Sequence, residues 1–167
     1  MPIMKPFKAI VFDWGDTIMR DFGLPGCMAE WENVAWIPGA ENVLKVVSTH
    51  FICVIATSAG NSGTPEMIAA LKRVGADQYF DFFFSSKELG YDKPDPDFFI
   101  ETARRSGVQT YECLMTGNSY EKDITGAKKA GMQTAFFNEK NMPGNFPDAD
   151  EVFSHFDQFL NNLHLPQ

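Results

Sequence analysis

A carboxylate set where a buried strand gives way to a tight turn needs a partner for its charge. The run Val11-Phe12-Asp13-Trp14-Gly15-Asp16-Thr17-Ile18 puts Asp13 at such a point. Taken alone, a strand-end Asp most often caps the turn. Three further signals follow in order: Thr57-Ser58 after an apolar run, Lys93 in Lys93-Pro94-Asp95-Pro96, and Gly117-Asn118-Ser119 with Asp123. A carboxylate, a hydroxyl, an ammonium and a second carboxylate, once brought together, could hold an anion and a divalent cation at one point. Singly, Lys93 reads as a solvated surface lysine and Thr57 as an ordinary strand-end hydroxyl.

The elements that would bring them together are legible as alternating apolar runs and helical patterns. Ala9 to Phe12, Phe51 to Ala56, Phe82 to Phe84, Cys113 to Met115 and Ala135 to Phe137 are short and lack polar alternation, as strands do in a parallel sheet covered on both faces. Thr64-Pro65-Glu66 reads as a helix start, with a hydroxyl to cap the free amides, and Met67, Ile68, Leu71 and Val74 share one face before Gly75. Asp95-Pro96 opens a second helix that closes before Gly107, and Lys122 to Ala130 forms a third that closes at Gly131. An edge strand near Val152 and a helix carrying Phe156, Phe159, Leu160 and Leu163 complete the chain. Residues 18 to 38 break the rhythm: Gly23, Pro25, Gly26 and Pro38 punctuate a loop with room for one short helix. Since open α/β sheets bind ligands beyond the carboxyl ends of their strands, Asp13, Thr57, Ser85 and the loop after Thr116 are expected at one edge.

The four signals in this order resemble the haloacid dehalogenase-like hydrolase superfamily over nearly the whole chain. The resemblance implies a Rossmann-like three-layer α/β/α sandwich with a mainly parallel sheet, one domain over residues 1–167, and a very small cap insert at about 18–38. It implies that Asp13 is the nucleophile that accepts a phosphoryl group later released by water. Thr57, with Ser58 as its alternative, and Lys93 would hold the transferred group. Asp13, the Gly15 carbonyl, Asn118 and Asp123 would place Mg2+. The residue types suit that chemistry, because a carboxylate attacking phosphate meets like-charge repulsion that a bridging cation, an ammonium and a hydroxyl offset.

Two positions depart from the family pattern. Gly15 stands where the phosphatases carry a second Asp that protonates the leaving group, and losing a general acid/base costs roughly 10²- to 10⁴-fold in rate. Asp16 lies one residue further, turned away from the substrate by the alternation of the backbone, and Asp21 lies in the insert. Asn118 replaces a carboxylate, so the metal loses one negative ligand. These departures leave two alternatives: a scaffold without turnover that binds a protein or phosphorylated partner, and a metal-independent 2-haloacid dehalogenase. Against the second, the family's dehalogenases carry a Tyr at the place of Gly15 and a helical cap, and an insert this short cannot close a pocket. The resemblance implies a phosphorylated small molecule or macromolecule as substrate, and an open site favours a large substrate or a lid supplied by another subunit. Trp31 and Trp36 could form a lid, although packing is the commoner fate of large aromatics.

The bulk properties fit one domain. At 167 residues a chain buries roughly 70% of the surface its unfolded form exposes. The net charge of −8 opposes nucleic acid and anionic membranes. Cys27, Cys53 and Cys113 are odd in number and lack metal-ligand spacing, which suits a reducing cytoplasm. No apolar run approaches the roughly 18 residues of a membrane span, and no signal-like segment opens the chain. Ala59 to Gly63 is Gly-rich before a helix but has no P-loop Lys, and His50, His155 and His164 fall outside the motifs and receive no role.

Overall fold

A computed structural model describes residues 5–167. Six parallel strands form one sheet in the order β3-β2-β1-β4-β5-β6. They are β1 (Ala9–Phe12), β2 (Ile52–Thr57), β3 (Phe82–Ser85), β4 (Cys113–Gly117), β5 (Gln133–Phe137) and β6 (Glu151–Phe153). The sheet is parallel throughout, including the edge strand, because every connection crosses back over one face.

Strand alternation divides the core in two. Ile10, Phe12, Cys53, Ile55, Leu114 and Phe137 face one layer. That layer is made by α1 (Ala40–Val47), α2 (Thr64–Val74) and α6 (Phe156–Asn162), with the 18–38 insert packed beside them. Ala9, Val11, Val54, Ala56 and Met115 face the other, made by α3 (Ser86–Leu89), α4 (Pro96–Arg105) and α5 (Thr125–Lys129). Both faces of β1 are therefore buried, which is why its sequence shows no polar alternation.

The elements differ from the sequence reading in four places. Helix α1 went unread, although Ala40, Val43, Leu44 and Val47 make a buried stripe behind Gly39. Thr64 does not cap α2: its hydroxyl is hydrogen-bonded to Ser85 Oγ and Glu88 Oε2, while Glu66 reaches back to the Gly63 amide at 3.0 Å. The helix expected over Lys122 to Ala130 opens instead with a wide π-type turn, Tyr120–Ile124, and becomes α-helical only from Thr125. The short α3 after β3 was also absent from the sequence reading. Asp95 caps α4 as expected, accepting the Asp97 amide at 2.9 Å.

α5 lies unusually close to the turn that precedes α4. A Cβ added at Gly126 would overlap the Pro94 carbonyl and sit 2.7 Å from Phe99 Cε2. Backbone cannot swing aside as a side-chain tip can. Gly126→Ala is therefore expected to cost about 1–3 kcal/mol as an overpacking change, read as a lower urea midpoint with an unchanged slope. An unchanged midpoint would show that α5 is free to move away.

Candidate active site

β1, β2 and β4 are adjacent, and Phe12 pairs with Ile55 on one side and Thr116 on the other. Three strands thus end together. The Asp13 amide still donates to the Thr116 carbonyl, at 3.0 Å, so its backbone belongs to the sheet while its carboxylate stands just beyond it. Thr57 ends β2 alongside. Asn118 and Asp123 come from the loop and wide turn after β4, and Lys93 comes from the connection between α3 and α4.

Lys93 Nζ sits between two carboxylates, 2.9 Å from Asp13 Oδ1 and 2.8 Å from Asp123 Oδ1. The Lys93 and Asp123 side chains are 1% and 2% exposed, and that of Asp13 is 14% exposed. Phe98 presents its ring face to the ammonium at 5.4 Å, a weak further attraction. Burial alone would push the Lys93 ammonium down, but Asp123 and Asp13 override it and hold it above its ordinary range. Asp123 is pushed up to about 6, first by burial and then by the Asp13 carboxylate, against the pull of Lys93 and of the Ser119 amide that it accepts at 3.0 Å. Gly117 makes room for it, since a Cβ there would overlap the Asp123 carboxylate.

One ammonium facing two carboxylates leaves one negative charge in excess. The Thr17 hydroxyl lies 3.2 Å from Asp13 Oδ2 and 3.3 Å from Asn118 Oδ1, which holds those two oxygens close together, and its single proton can serve only one of them at full strength. Excess negative charge beside converging oxygens fits a hard divalent cation. Among the described residues no three His, Cys, Asp or Glu side chains converge into an all-protein metal cage. Mg2+ does not need one: it keeps several waters and takes one or two carboxylates together with substrate phosphate.

Asp13, Gly15, Thr57, Ser58, Lys93, Asn118 and Asp123, all seven residues singled out from the sequence, line one open cavity of about 310 Å³. Thr57 is buried there, with its Oγ1 accepting the Ala59 amide at 3.1 Å. Ser85 shares the sheet edge but not the cavity, because its hydroxyl faces Thr64 instead. Several residues around the site had no role assigned from the sequence. Thr17 was named only as part of the run around Asp13, yet its hydroxyl joins Asp13 to Asn118, as its spacing of four residues after Asp13 permits. Lys122 and Ser119 line the cavity from the wide turn, and Met28 lines it from the insert. No pattern in the sequence aims the insert residues inward.

The insert is clamped rather than hinged. Arg73 of α2 donates to the carbonyls of Ala29, Trp31 and Glu32, the last at 3.1 Å, and Trp31 Nε1 donates to the Pro25 carbonyl at 3.0 Å. Arg20 forms a two-pronged pair with Glu139 at 2.7 and 2.8 Å. Trp31 is buried in the core, and Trp36 packs against it. Asn61 of the Gly-rich stretch donates to the Gly26 carbonyl at 3.0 Å, which accounts for that stretch as a docking loop. His155, given no role from the sequence, caps α6 by accepting the Asp157 amide at 3.2 Å.

The profile of the haloacid dehalogenase-like hydrolase family matches residues 26–131, well over half of the chain. Among curated proteins, the chain is 45% identical over 64 residues to glyceraldehyde 3-phosphate phosphatase of Methanopyrus kandleri, covering 38% of this chain and 28% of that protein. It is 29% identical over 120 residues to ribulose-1,5-bisphosphate 5-phosphatase of Halopiger xanaduensis, covering 72% and 48% respectively. The chain thus spans less than half the length of these relatives. Among solved structures it is similar to the HAD phosphatase of Thermococcus onnurineus, with a TM-score of 0.78, 22% identity and coverage of 93% of this chain and 97% of that one. That likeness carries the fold. Among the described residues no helix is long and apolar enough to cross a membrane.

Proposed function

Because the chain belongs to the haloacid dehalogenase-like hydrolase family, we propose that it is a Mg2+-dependent phosphatase acting on phosphate monoesters through an aspartyl-phosphate on Asp13. The observation that carries this reading is Lys93, held between Asp13 and Asp123 with one carboxylate charge to spare. Such a site suits a dianionic phosphate that arrives with a divalent cation. Asp13, Asp123, Asn118 and the Gly15 carbonyl would hold the cation, which, when bound, would draw charge from the phosphoryl oxygens. Thr57 and Ser58 stand where a hydroxyl could donate to the transferred group, and Lys93 offers its ammonium. A departing halide, needing positive surroundings and no cation, suits this carboxylate-rich cavity less well. The open mouth and clamped insert place no lid over the substrate, and the relatives named as sugar-phosphate phosphatases make phosphorylated small molecules the first class to try. A cytoplasmic setting agrees with the two buried free thiols.

The direct test is release of inorganic phosphate from a panel of aryl and sugar phosphates with and without Mg2+. Turnover that requires the cation supports the reading. Inertness across the panel, with a phosphorylated ligand still bound, favours the scaffold without turnover that Gly15 and Asn118 suggest.

Mg2+ is also expected to raise the melting temperature, and the rise should grow with pH. Asp123 is protonated below about 6 and must lose that proton to ligate a cation, so binding strengthens as pH climbs through that value. Without metal the same group works in the opposite sense: its folded value lies above its unfolded one, so ionising it costs stability between about 4 and 6. Thermal shifts with and without Mg2+ at pH 5 and 7.5 measure both. A Mg2+ increment that does not depend on pH would place the cation away from Asp123.

A further inference from the structure

A phosphate ester of an ordinary alcohol cannot leave as an alkoxide without a proton, and Gly15 has no side chain to bring one. Among the acids lining the cavity, Asp13 and Asp123 are bound to Lys93. Asp16 is spoken for as well: its Oδ1 accepts the Asp21 amide at 3.0 Å and faces Arg20 at 3.5 Å. Asp21 is different. Its Oδ1 accepts the Gly23 amide at 2.8 Å, and among the described residues nothing donates to its Oδ2. A Cβ built on Gly15 would lie 3.7 Å from that Oδ2 and 3.7 Å from the Asp21 Cβ. The Asp21 carboxyl therefore lies beside the space that a longer residue at position 15 would occupy, within the same cavity as Asp13. It is held there on its N-terminal side by Asp16, which accepts its amide, and by the Arg20–Glu139 pair on the preceding residue, and through its own Oδ1 by the Gly23 amide.

We propose that Asp21, reaching in from the insert, is the proton donor and acceptor of the reaction. The proposal rests on Asp13 being the phosphoryl acceptor. In the first step an Asp13 oxygen bonds to phosphorus and the ester P–O bond breaks. The bonding pair goes to the ester oxygen, which takes the proton of the Asp21 carboxyl and departs as an alcohol. In the second step the Asp21 carboxylate takes a proton from water as the water oxygen bonds to phosphorus. The P–O bond to Asp13 breaks with its pair returning to that carboxylate, so phosphate is released and Asp21 is protonated again. The insert, too short to close the cavity, thereby contributes a reacting group in place of a cover.

Leaving-group dependence is the readout, since a merely structural role would not move it. In Mg2+, kcat/KM is measured for an alkyl phosphate, whose alkoxide needs a proton, and for dinitrophenyl phosphate, whose phenolate does not. Asp21→Asn is expected to lower the first by roughly 10²- to 10⁴-fold and the second by less than tenfold. With dinitrophenyl phosphate it should give a burst of phenolate equal to the enzyme present, because phosphorylation stays fast while hydrolysis slows. Gly15→Asp, at a position without positive φ and with room for a Cβ, should restore alkyl-ester turnover in the Asp21→Asn background. Equal losses on both substrates, no loss on either, or no restoration by Gly15→Asp would overturn the assignment while wild type, still dependent on Asp13, kept the proposed activity. A wild type inert on both esters would overturn the assignment together with the reading it rests on.

Discussion

Asp13→Asn should eliminate Mg2+-supported phosphate release, by at least about three orders of magnitude, while leaving the fold at least as stable as wild type. The two expectations come from the same geometry. An amide of the same shape cannot accept a phosphoryl group, and removing a covalent nucleophile leaves only what binding and electrostatics contribute. At the same time the substitution removes one of two carboxylates that share Lys93, leaving a neutral Lys93–Asp123 pair where there had been an excess charge. Asp123, relieved of the Asp13 charge that helps push it up to about 6, should titrate lower. Phosphate release and thermal melting on one preparation measure both. A variant as active as wild type would dismiss Asp13 as nucleophile, and an unfolded one would show that its carboxylate is structural.

Lys93→Met should be the most damaging single change to stability in the site. It strips the common partner from two carboxylates, one of them almost wholly buried. Breaking a buried ion pair from one side costs about 3–5 kcal/mol, because the charge left behind is neither solvated nor paired. The deficit has a definite pH dependence. Without the ammonium that draws it down, Asp123 should titrate above about 6, so the penalty is full at pH 8 and shrinks as pH falls and the group takes up a proton. Mg2+ should recover part of the loss at pH 8 by supplying the missing positive charge. Urea denaturation at pH 8 and pH 5, with and without Mg2+, reads all three. A deficit equal at both pH values would mean that lost packing against Phe98 dominates, and not charge.

The sheet was legible because parallel strands buried on both faces announce themselves as unbroken apolar runs, as Ala9 to Phe12 does. α1 was not, because Gly39 ahead of it carries no side chain to signal a cap, and its eight residues follow a stretch dense in turn formers. Of the seven cavity residues, Asp13, Gly15, Thr57, Ser58 and Asn118 lie at or just beyond strand ends, whereas Lys93 and Asp123 could be found only by their place in the order of the four signals. Thr17, Lys122 and Asp21 needed the third dimension. The first is close to Asp13 only through the shape of one turn, the second depends on the wide turn after Ser119, and the third depends on an irregular loop pinned by Arg20 and Arg73. Asp16 shows the limit most plainly. Its φ of 58° is left-handed, a conformation for which glycine is the usual choice, and it spends its carboxylate on the local loop. Alternation predicts that it turns from the substrate, yet it lines the same cavity as Asp13; that it would anchor Asp21 was not readable.

The sheet order has a consequence for how the protein comes into being. β1 lies between β2 and β4, so this strand obtains its second neighbour only after residue 113 has been made. Asp123 is made later still, and Lys93 comes 80 residues after Asp13. A nascent chain therefore carries Asp13 without the ammonium until residue 93 has been made, and without the second carboxylate until residue 123 has been made. Reactivity arrives in one late event, when the central gap in the sheet is filled, and a truncated product stopped short of that event should be inert however much of it has folded.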